Sequence, residues 1–324
     1  MPPMTFQPLL DTIAQLPLPQ EAQRVFHGRG GRHPGCEQWT LDAYPPVWLL
    51  TSYAPVEEAT LATLQQALAD RWAALAPGEP LNLVFQHRDE VRAETRLLCG
   101  AIPDPHVVAV QGGRFKVHLL KGMNHGLFLD MAEGRKWVRA HMAAHPGARV
   151  LNLFAYTCAF SVIALQAGAG QVINVDMAAG ALGIGKANHQ LNGLGQGASF
   201  LPHDIFSSWG KIGRSGPYDL IILDPPSYQK GSFVAEKDYA RLMRRLPGLL
   251  APGGHAMLCL NSPKRGSDFL KELMAQEAPA LQFVQRLANP AVMEDVDPER
   301  SLKVLIYQAA FQDNRSESVA VQHP

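Results

Sequence analysis

The sequence predicts an α/β fold, a doubly wound and largely parallel sheet preceded by a smaller α+β unit. Three observations predict it. From Arg135 onward, short apolar runs alternate with helix-length segments, the rhythm of βαβ units whose strands are buried on both faces. Polar residues gather where those runs stop: Asn152 and Thr157, then Asp176, Asp204, Asp224 and Asn261. Residues 1–120 follow another pattern, with short strands around one long helix.

Taken in order, residues 1–23 read as a helix interrupted by Pro17 and Pro19. Residues 24–35, RVFHGRGGRHPG, read as a loop carrying Arg24, Arg29 and Arg32 and no acidic residue. Strands are expected at 38–41 and 47–52, separated by Pro45 and Pro46, which cannot donate to a ladder. Leu61, Leu64, Leu68, Trp72 and Leu75 recur at helical spacing within 56–76. Further strands fit 81–86, 106–111 and 115–120, the last two joined as a hairpin across Gly112-Gly113. Residues 1–120 therefore read as a separate α+β region, a candidate for substrate binding.

In the second region a helix at 137–144 leads to a strand at 149–154, a turn at 155–158 and a helix at 160–167. A strand at 171–176, a helix at 178–192 closed by Gly193 and a strand at 198–201 follow. The fourth strand, 218–223, runs straight into Asp224-Pro225-Pro226. A helix at 238–250 stops at Pro252-Gly253-Gly254, before the fifth strand at 255–260 and a helix at 267–276. Strands at 281–287 and 302–311 complete the sheet. This domain spans 121–312, and the polar stretch 313–324 reads as a flexible tail.

Composition excludes several classes. The 29 Lys and Arg balance 29 Asp and Glu, so no overall basic field marks a nucleic-acid binder, although a local patch suffices for RNA. Cys36, Cys99, Cys158 and Cys259 stand far apart, without a CxxC pair or a His cluster at zinc spacing. That pattern excludes a disulfide framework and a structural zinc site, and no metal is expected. The opening stretch has no basic n-region, and no apolar run reaches the ~18 residues of a membrane span. A cytoplasmic protein is expected.

In doubly wound sheets ligands sit beyond the carboxyl ends of the strands, where strand order reverses. Asp176, closing the second strand, is placed to accept both ribose hydroxyls of an adenosine cofactor. The same carboxylate can cap the following helix, and the two roles are compatible. The turn after the first strand reads FAYTCAFS and lacks the glycines that bring backbone amides to a pyrophosphate. S-adenosylmethionine carries no phosphate, so the turn favours it over NAD.

The motif Asp224-Pro225-Pro226-Ser227-Tyr228 carries chemistry. Two prolines fix the backbone and present rigid carbonyls. A carboxylate and a carbonyl together can accept from an amino group and aim its lone pair, while Tyr228 can stack on a planar acceptor. The plainer reading is a turn that ends a buried strand.

The stretches GRFKVHLLKGMNHGLFLDMAEGR, LNLFAYTCAFSV, VINVDMAAGAL, NHQLNGL, YDLIILDPPSY, LLAPGGHAMLCLNSPKRG and DPERSLKVLIYQ resemble, in order and spacing, the bacterial S-adenosylmethionine-dependent large-subunit ribosomal RNA methyltransferases of the RlmI and RlmK type. The resemblance covers residues 108–310. It implies a seven-stranded, doubly wound, Rossmann-like methyltransferase sheet, S-adenosyl-L-methionine as cofactor and ribosomal RNA as substrate. By position it also implies cofactor contacts: Phe128 and Asp130; Asn152, Phe154, Tyr156 and Thr157; Asp176 and Met177; Asp204 and Asp224. Cys158 and Ala159 stand where family members commonly have glycines, which implies a tighter pocket. Residues 1–80 do not resemble the RNA-binding PUA module of some relatives, so no RNA-binding role carries over to them.

Members of that family that form 5-methylcytosine have a nucleophilic cysteine after the fifth strand, where this chain has Asn261. Carbon 5 of cytosine needs covalent activation by a thiolate, whereas a base nitrogen needs only orientation. Asp224, Pro225, Pro226, Tyr228 and Asn261 are thus the expected catalytic group, and they point to a base nitrogen in RNA. Cys259, on the same strand face as Asn261, leaves cytosine carbon 5 as an alternative, though its apolar neighbours suit a core thiol better. Lys264 and Arg265 after the fifth strand, with Arg29 and Arg32 in the glycine-rich loop, are the candidate contacts to an RNA backbone. A protein amide or a small molecule is an alternative acceptor. A non-catalytic S-adenosylmethionine-binding or RNA-binding protein fits the intact DPPSY motif least.

Overall fold

The computed structural model describes residues 6–89, 93–226, 228–229 (backbone only) and 233–311. The first unit comprises α1 (Gln7–Gln15), β1 (Gln23–His27), β2 (Trp39–Tyr44), β3 (Val47–Ser52), α2 (Glu58–Leu75), β4 (Asn82–Arg88) and β5 (Ala93–Cys99). Its sheet runs β1-β2-β3-β4-β5, with β3 and β4 parallel across α2 and the other pairs antiparallel.

Period-two patterning sorts its faces. Leu41, Ala43, Trp48 and Leu50 pack under α1 and α2 with Leu9, Ile13, Leu61, Leu64 and Leu68. Tyr44, Val47, Leu49 and Val84 face the other way. There they meet the hairpin of β6 (His106–Val110) and β7 (Gly113–Val117), together with Leu127, Leu129, Val162 and Ile163. One apolar core therefore joins the first sheet to the rest of the chain.

The stretch expected as a loop at 24–35 begins as the edge strand β1. Only Phe26 in it is fully buried, so its alternation is too short to outweigh the glycines that follow. Strand β5 was not anticipated either, because Glu94 and Arg96 on its exposed face dilute the apolar signal.

The second sheet follows α3 (Ala132–Ala144) and is built from β8 (Arg149–Leu153), β9 (Gln171–Val175), β10 (Ala198–Leu201), β11 (Tyr218–Leu223), β14 (Leu250–Leu260), β15 (Leu281–Leu287) and β16 (Lys303–Ala309). A small pair, β12 (Tyr228–Gln229) and β13 (Phe233–Val234), lies between β11 and β14. The intervening helices are α4 (Ala159–Gln166), α5 (Ala179–Leu191), α6 (Trp209–Arg214), α7 (Ala235–Met243), α8 (Leu246–Leu249) and α9 (Ser267–Glu277).

The strand order is β10-β9-β8-β11-β14-β16-β15. The first five are parallel, and β16 runs against both neighbours. Alternate residues of β14 feed opposite cores: Ala256, Leu258 and Leu260 join α7 and α9, while Met257 and Cys259 join α3 and α4. Strand order reverses between β8 and β11, which places the ligand crevice above their carboxyl ends. Among the described residues no helix is long and apolar enough to cross a membrane.

Candidate active site

A cavity of about 700 Å³ opens at that reversal, within the range of small-molecule sites. Its wall begins at the turn after β8. Phe154, Tyr156 and Cys158 have φ of 58°, 47° and 62°, so three non-glycine residues occupy the left-handed region, where a side chain is disfavoured. Surrounding contacts hold them there. The Gly126 amide donates to the Tyr156 hydroxyl at 3.1 Å, and the Thr157 hydroxyl donates to the Gly126 carbonyl at 2.6 Å. Gly126 itself has φ +93°, and a Cβ there would lie 2.9 Å from the Lys116 carbonyl oxygen. Behind the turn, a Cβ on Gly185 of α5 would lie 2.5 Å from Cys158 Sγ. The room that a glycine would leave at position 158 is supplied here from α5.

The Asp176 carboxylate accepts from the Tyr156 amide and from the Ala178 amide, each at 2.8 Å. These bonds fix its orientation and leave a lone pair on each oxygen for a ligand diol. Asp204 accepts from the Phe206 amide at 3.0 Å and caps the turn after β10. Phe128 and Met177 line the same cavity with exposed side chains, and the Phe128 and Tyr156 rings lie 5.4 Å apart.

Asn152 also lines the cavity, but its amide group donates to Asn174 at 2.9 Å. Asn174 in turn donates to the Ser161 hydroxyl at 3.0 Å, which lies 2.9 Å from His189 Nε2. The His189 Nδ1–H donates to the Gly185 carbonyl at 2.7 Å, so Nε2 accepts from Ser161. Burial lowers the His189 pKa and keeps the ring neutral. This buried chain locks β8, β9, α4 and α5 together.

Arg135 of α3 is the residue that the sequence reading missed. Its Nε donates to Gln111 Oε1 at 3.1 Å and its Nη1 to the Phe128 carbonyl at 2.6 Å. Its Nη2 is buried and has no hydrogen-bond partner among the described residues. Burial brings its pKa down to about 10, against the pull of Asp130, Tyr44 and Asp224. The available signal was positional: Arg135 shares an apolar stripe with Val138 and Met142.

Asp224 follows β11 into Pro225 and Pro226, and all three line the cavity. Burial, then the neighbouring Asp130 charge, pushes the Asp224 carboxyl up to about 7, with Arg135 opposing. Burial also raises Asp130, against Arg24 and Arg135. Asn261 Nδ2 lies 3.4 Å from Asp130 Oδ2, and both residues line the cavity. The buried Lys303 ammonium donates to the Ser262 and Glu299 carbonyls and so fixes the segment that carries Asn261. Ser227 and the Tyr228 side chain lie outside the described residues, as do 313–324.

Cys259 is fully buried. Burial, then Asp224 and Asp130, holds its thiol well above the usual range.

The expected RNA contacts separate. Arg29 lines a second cavity described below. Arg32 pairs with Glu294 at 2.7 Å. Arg265 lies 3.5 Å from Glu236, and neither Lys264 nor Arg265 lines either cavity.

Residues 23–308 match the family model of S-adenosylmethionine-dependent methyltransferases. The chain is 29% identical over 221 residues to ribosomal RNA large subunit methyltransferase I of Aeromonas salmonicida, covering 66% of this chain and 55% of that protein. It is 38% identical over 182 residues to ribosomal RNA large subunit methyltransferase K/L of a Psychrobacter species, covering 53% of this chain and 22% of that protein. It thus spans about half the length of the first relative and less of the second. Among solved structures, SMU.776 complexed with SAH has a TM-score of 0.76 at 24% identity, over 94% of this chain and 79% of that one. The SAM-dependent methyltransferase of Agrobacterium tumefaciens has a TM-score of 0.64 at 17% identity, over 90% of each chain. At these identities the structural likeness is one of fold.

Proposed function

The chain belongs to the family of S-adenosylmethionine-dependent methyltransferases, and we propose that it is a cytoplasmic enzyme that methylates a base nitrogen in RNA, with ribosomal RNA as the expected substrate. The names of its relatives support RNA. In this reading 121–312 is the catalytic domain and 1–120 contributes to substrate binding.

The residues present fit the cofactor. The buried Arg135 Nη2, without a partner among the described residues, suits a carboxylate, which a buried guanidinium binds strongly. Asp176 retains acceptors for a ribose diol, and Phe128 and Met177 offer apolar surface for adenine. The cofactor, when bound, supplies an electrophilic methyl group on its sulfonium.

The observation that carries the nitrogen assignment is what surrounds the Asp224 carboxylate. The cavity there is lined by Asp130, Pro225, Pro226 and Asn261, groups that orient a donor, while the Cys259 thiol is buried and protonated. Asp224 accepts a hydrogen bond from the acceptor nitrogen, which leaves the nitrogen lone pair free. With a pKa near 7 it can also take up the proton that the nitrogen sheds.

Transfer of tritiated methyl groups from S-adenosylmethionine into undermodified total RNA, protein lysate and a metabolite fraction tests the reading. Label is expected in RNA and, after nucleoside digestion, on a base nitrogen. Label confined to protein or metabolites excludes RNA, and label on cytosine carbon 5 excludes the nitrogen.

A further inference from the structure

A second cavity, of about 310 Å³, lies between the inner face of the first sheet and the segment around Asn124–Asp130. Among the residues it shares with the cofactor-side cavity are Arg88, Phe128, Asp130 and Asn261, so the two meet beside Asp224. We infer that this cavity holds the acceptor nucleotide, with its base edge at the shared wall and its phosphates on Arg29, Arg88 and Arg300. The inference rests on the RNA reading above and adds where the strand enters.

The floor is a preorganised polar set. Arg24 grips Asp42 through two parallel bonds of 2.7 and 2.8 Å, and both residues belong to the inner face of the sheet. Burial opposes the charge on Arg24, but Asp42 outweighs it and raises the guanidinium pKa. The remaining Arg24 Nη1 lies 3.0 Å from His27 Nδ1. Burial, then Arg24 and Arg29, pushes His27 down to about 4, so the ring is neutral near pH 7. A guanidinium can only donate, so His27 Nδ1 accepts and the ring proton sits on Nε2. The floor therefore presents fixed donors.

The rim is cationic and differs from the other charged surface nearby. Arg29 stacks over the Tyr53 ring at 4.0 Å from its centroid, and Arg88 approaches the same ring at 5.9 Å. Arg300 lines the cavity from the segment ahead of β16. Among the described residues none of these three makes a salt bridge, whereas Arg32 just beyond Arg29 is tied to Glu294. Of the acids in the wall, Asp42 is paired with Arg24 and Asp130 is turned to Asn261. Asp295 accepts from the Asp297 amide. Guanidinium forks held by an aromatic ring suit phosphates, and a polar floor beneath them suits a planar base. A ribonucleotide satisfies both.

The test is steady-state methyl transfer to RNA across a salt series. The double variant Arg29→Ala/Arg300→Ala is expected to raise KM for RNA at least tenfold. It should also flatten the slope of log KM against log salt by about 1.4, the loss of two single-strand phosphate contacts. Calorimetric S-adenosylmethionine affinity should match wild type, which certifies the fold. His27→Ala is expected to lower kcat about tenfold while keeping the wild-type salt slope. Arg244→Ala, which removes one positive charge from a surface pair with Glu277, should alter neither. Wild-type KM and slope in the double variant, with RNA still methylated, would overturn the cavity assignment and leave the RNA reading standing. Unchanged kcat in His27→Ala would reduce the cavity to a guide for the backbone and overturn the acceptor placement. Wild-type label appearing only in protein or metabolites would remove the RNA reading and this inference with it.

Discussion

The two cavities share a wall but are built by different means. Over the seven-stranded sheet, the ligand-facing groups stand at strand ends, and backbone amides fix them, as Tyr156 and Ala178 fix Asp176. Against the five-stranded sheet, the groups stand along the inner face of β1 and β2 and are held by one another, as Arg24, Asp42 and His27 are. The first arrangement follows from topology, because every parallel strand delivers its end to the same crevice. The second depends on charged side chains placed where a sheet would ordinarily bury apolar ones. On the proposed assignment, one cavity serves the cofactor and the other the acceptor. Substitutions should separate cofactor affinity, chemistry and acceptor affinity accordingly.

The largest expected effect falls where the cavities meet. Asp224→Asn should reduce turnover by about 10³-fold while calorimetric cofactor affinity stays within about twofold. In the wild type, turnover should rise with pH through about 7, since only the ionised carboxylate can take up the proton that the nitrogen sheds. Stability should move the other way. The folded pKa lies above the usual carboxylate value, so the unfolded chain ionises first and stability falls as pH rises from about 4 to about 7. Asp224→Asn removes that penalty and should raise Tm at pH 8. Wild-type turnover in this variant would end the distinction between an orienting junction and its two binding walls.

Effects of about 10–100-fold are expected on the cofactor side alone. Asp176→Ala removes hydrogen bonds from a charged group, a loss of about 1–3 kcal/mol in S-adenosylmethionine affinity. Arg135→Gln should weaken cofactor binding by a similar factor. Neither should change the salt slope for RNA. A change in that slope would show that the two walls are not independent.

The same contrast decides how much the sequence reveals. Strands β8, β9, β11 and β14 are buried on both faces and read as apolar runs, and their polar ends mark the crevice. Asp176, Asp204 and Asp224 could be picked out for that reason. The inner face of the first sheet announces itself only through alternation. Asp42 lies between Leu41 and Ala43, and nothing local says that it meets Arg24 across a strand pair. Arg135 was hidden because a helix residue shows its burial only once α3 docks. Arg29 was found as a cation near glycines, but its stacking on Tyr53 is a tertiary fact.

A smaller effect concerns the glycine-free turn. Gly185→Ala gains helix propensity of about 1 kcal/mol but forces a methyl against Cys158 Sγ, and overpacking of this kind costs about 1–3 kcal/mol. The net expectation is a modest fall in Tm with slightly weaker cofactor binding, because the turn carries Tyr156. Adding Cys158→Gly removes both the clash and the side chain at φ 62°, so the pair should be more stable than Gly185→Ala alone. A thermal-denaturation double-mutant cycle measures the coupling, and simple additivity would show that the turn does not lean on α5.

The smallest expected effect is at Cys259. This residue faces α3 and α4 among Met257, Val138 and Met142, and its carbonyl accepts from the buried Tyr239 hydroxyl. A nucleophilic thiol needs a cation or a helix N-terminus to favour the thiolate. Here burial and two carboxylates act in the opposite sense. Cys259→Ser should therefore keep turnover within about threefold and lose about 1 kcal/mol of stability, the result of placing a hydroxyl in an apolar core. Asn261→Ala, by contrast, should slow turnover by about 10-fold through lost orientation of the base. RNA containing 5-fluorocytosine discriminates further, since attack by a thiolate would leave a covalent complex that survives denaturation. A trapped adduct through Cys259 would mean that the strand end opens during turnover and that carbon is the acceptor. The absence of an adduct, with active Cys259→Ser protein, would leave the junction of the two cavities with orienting groups alone.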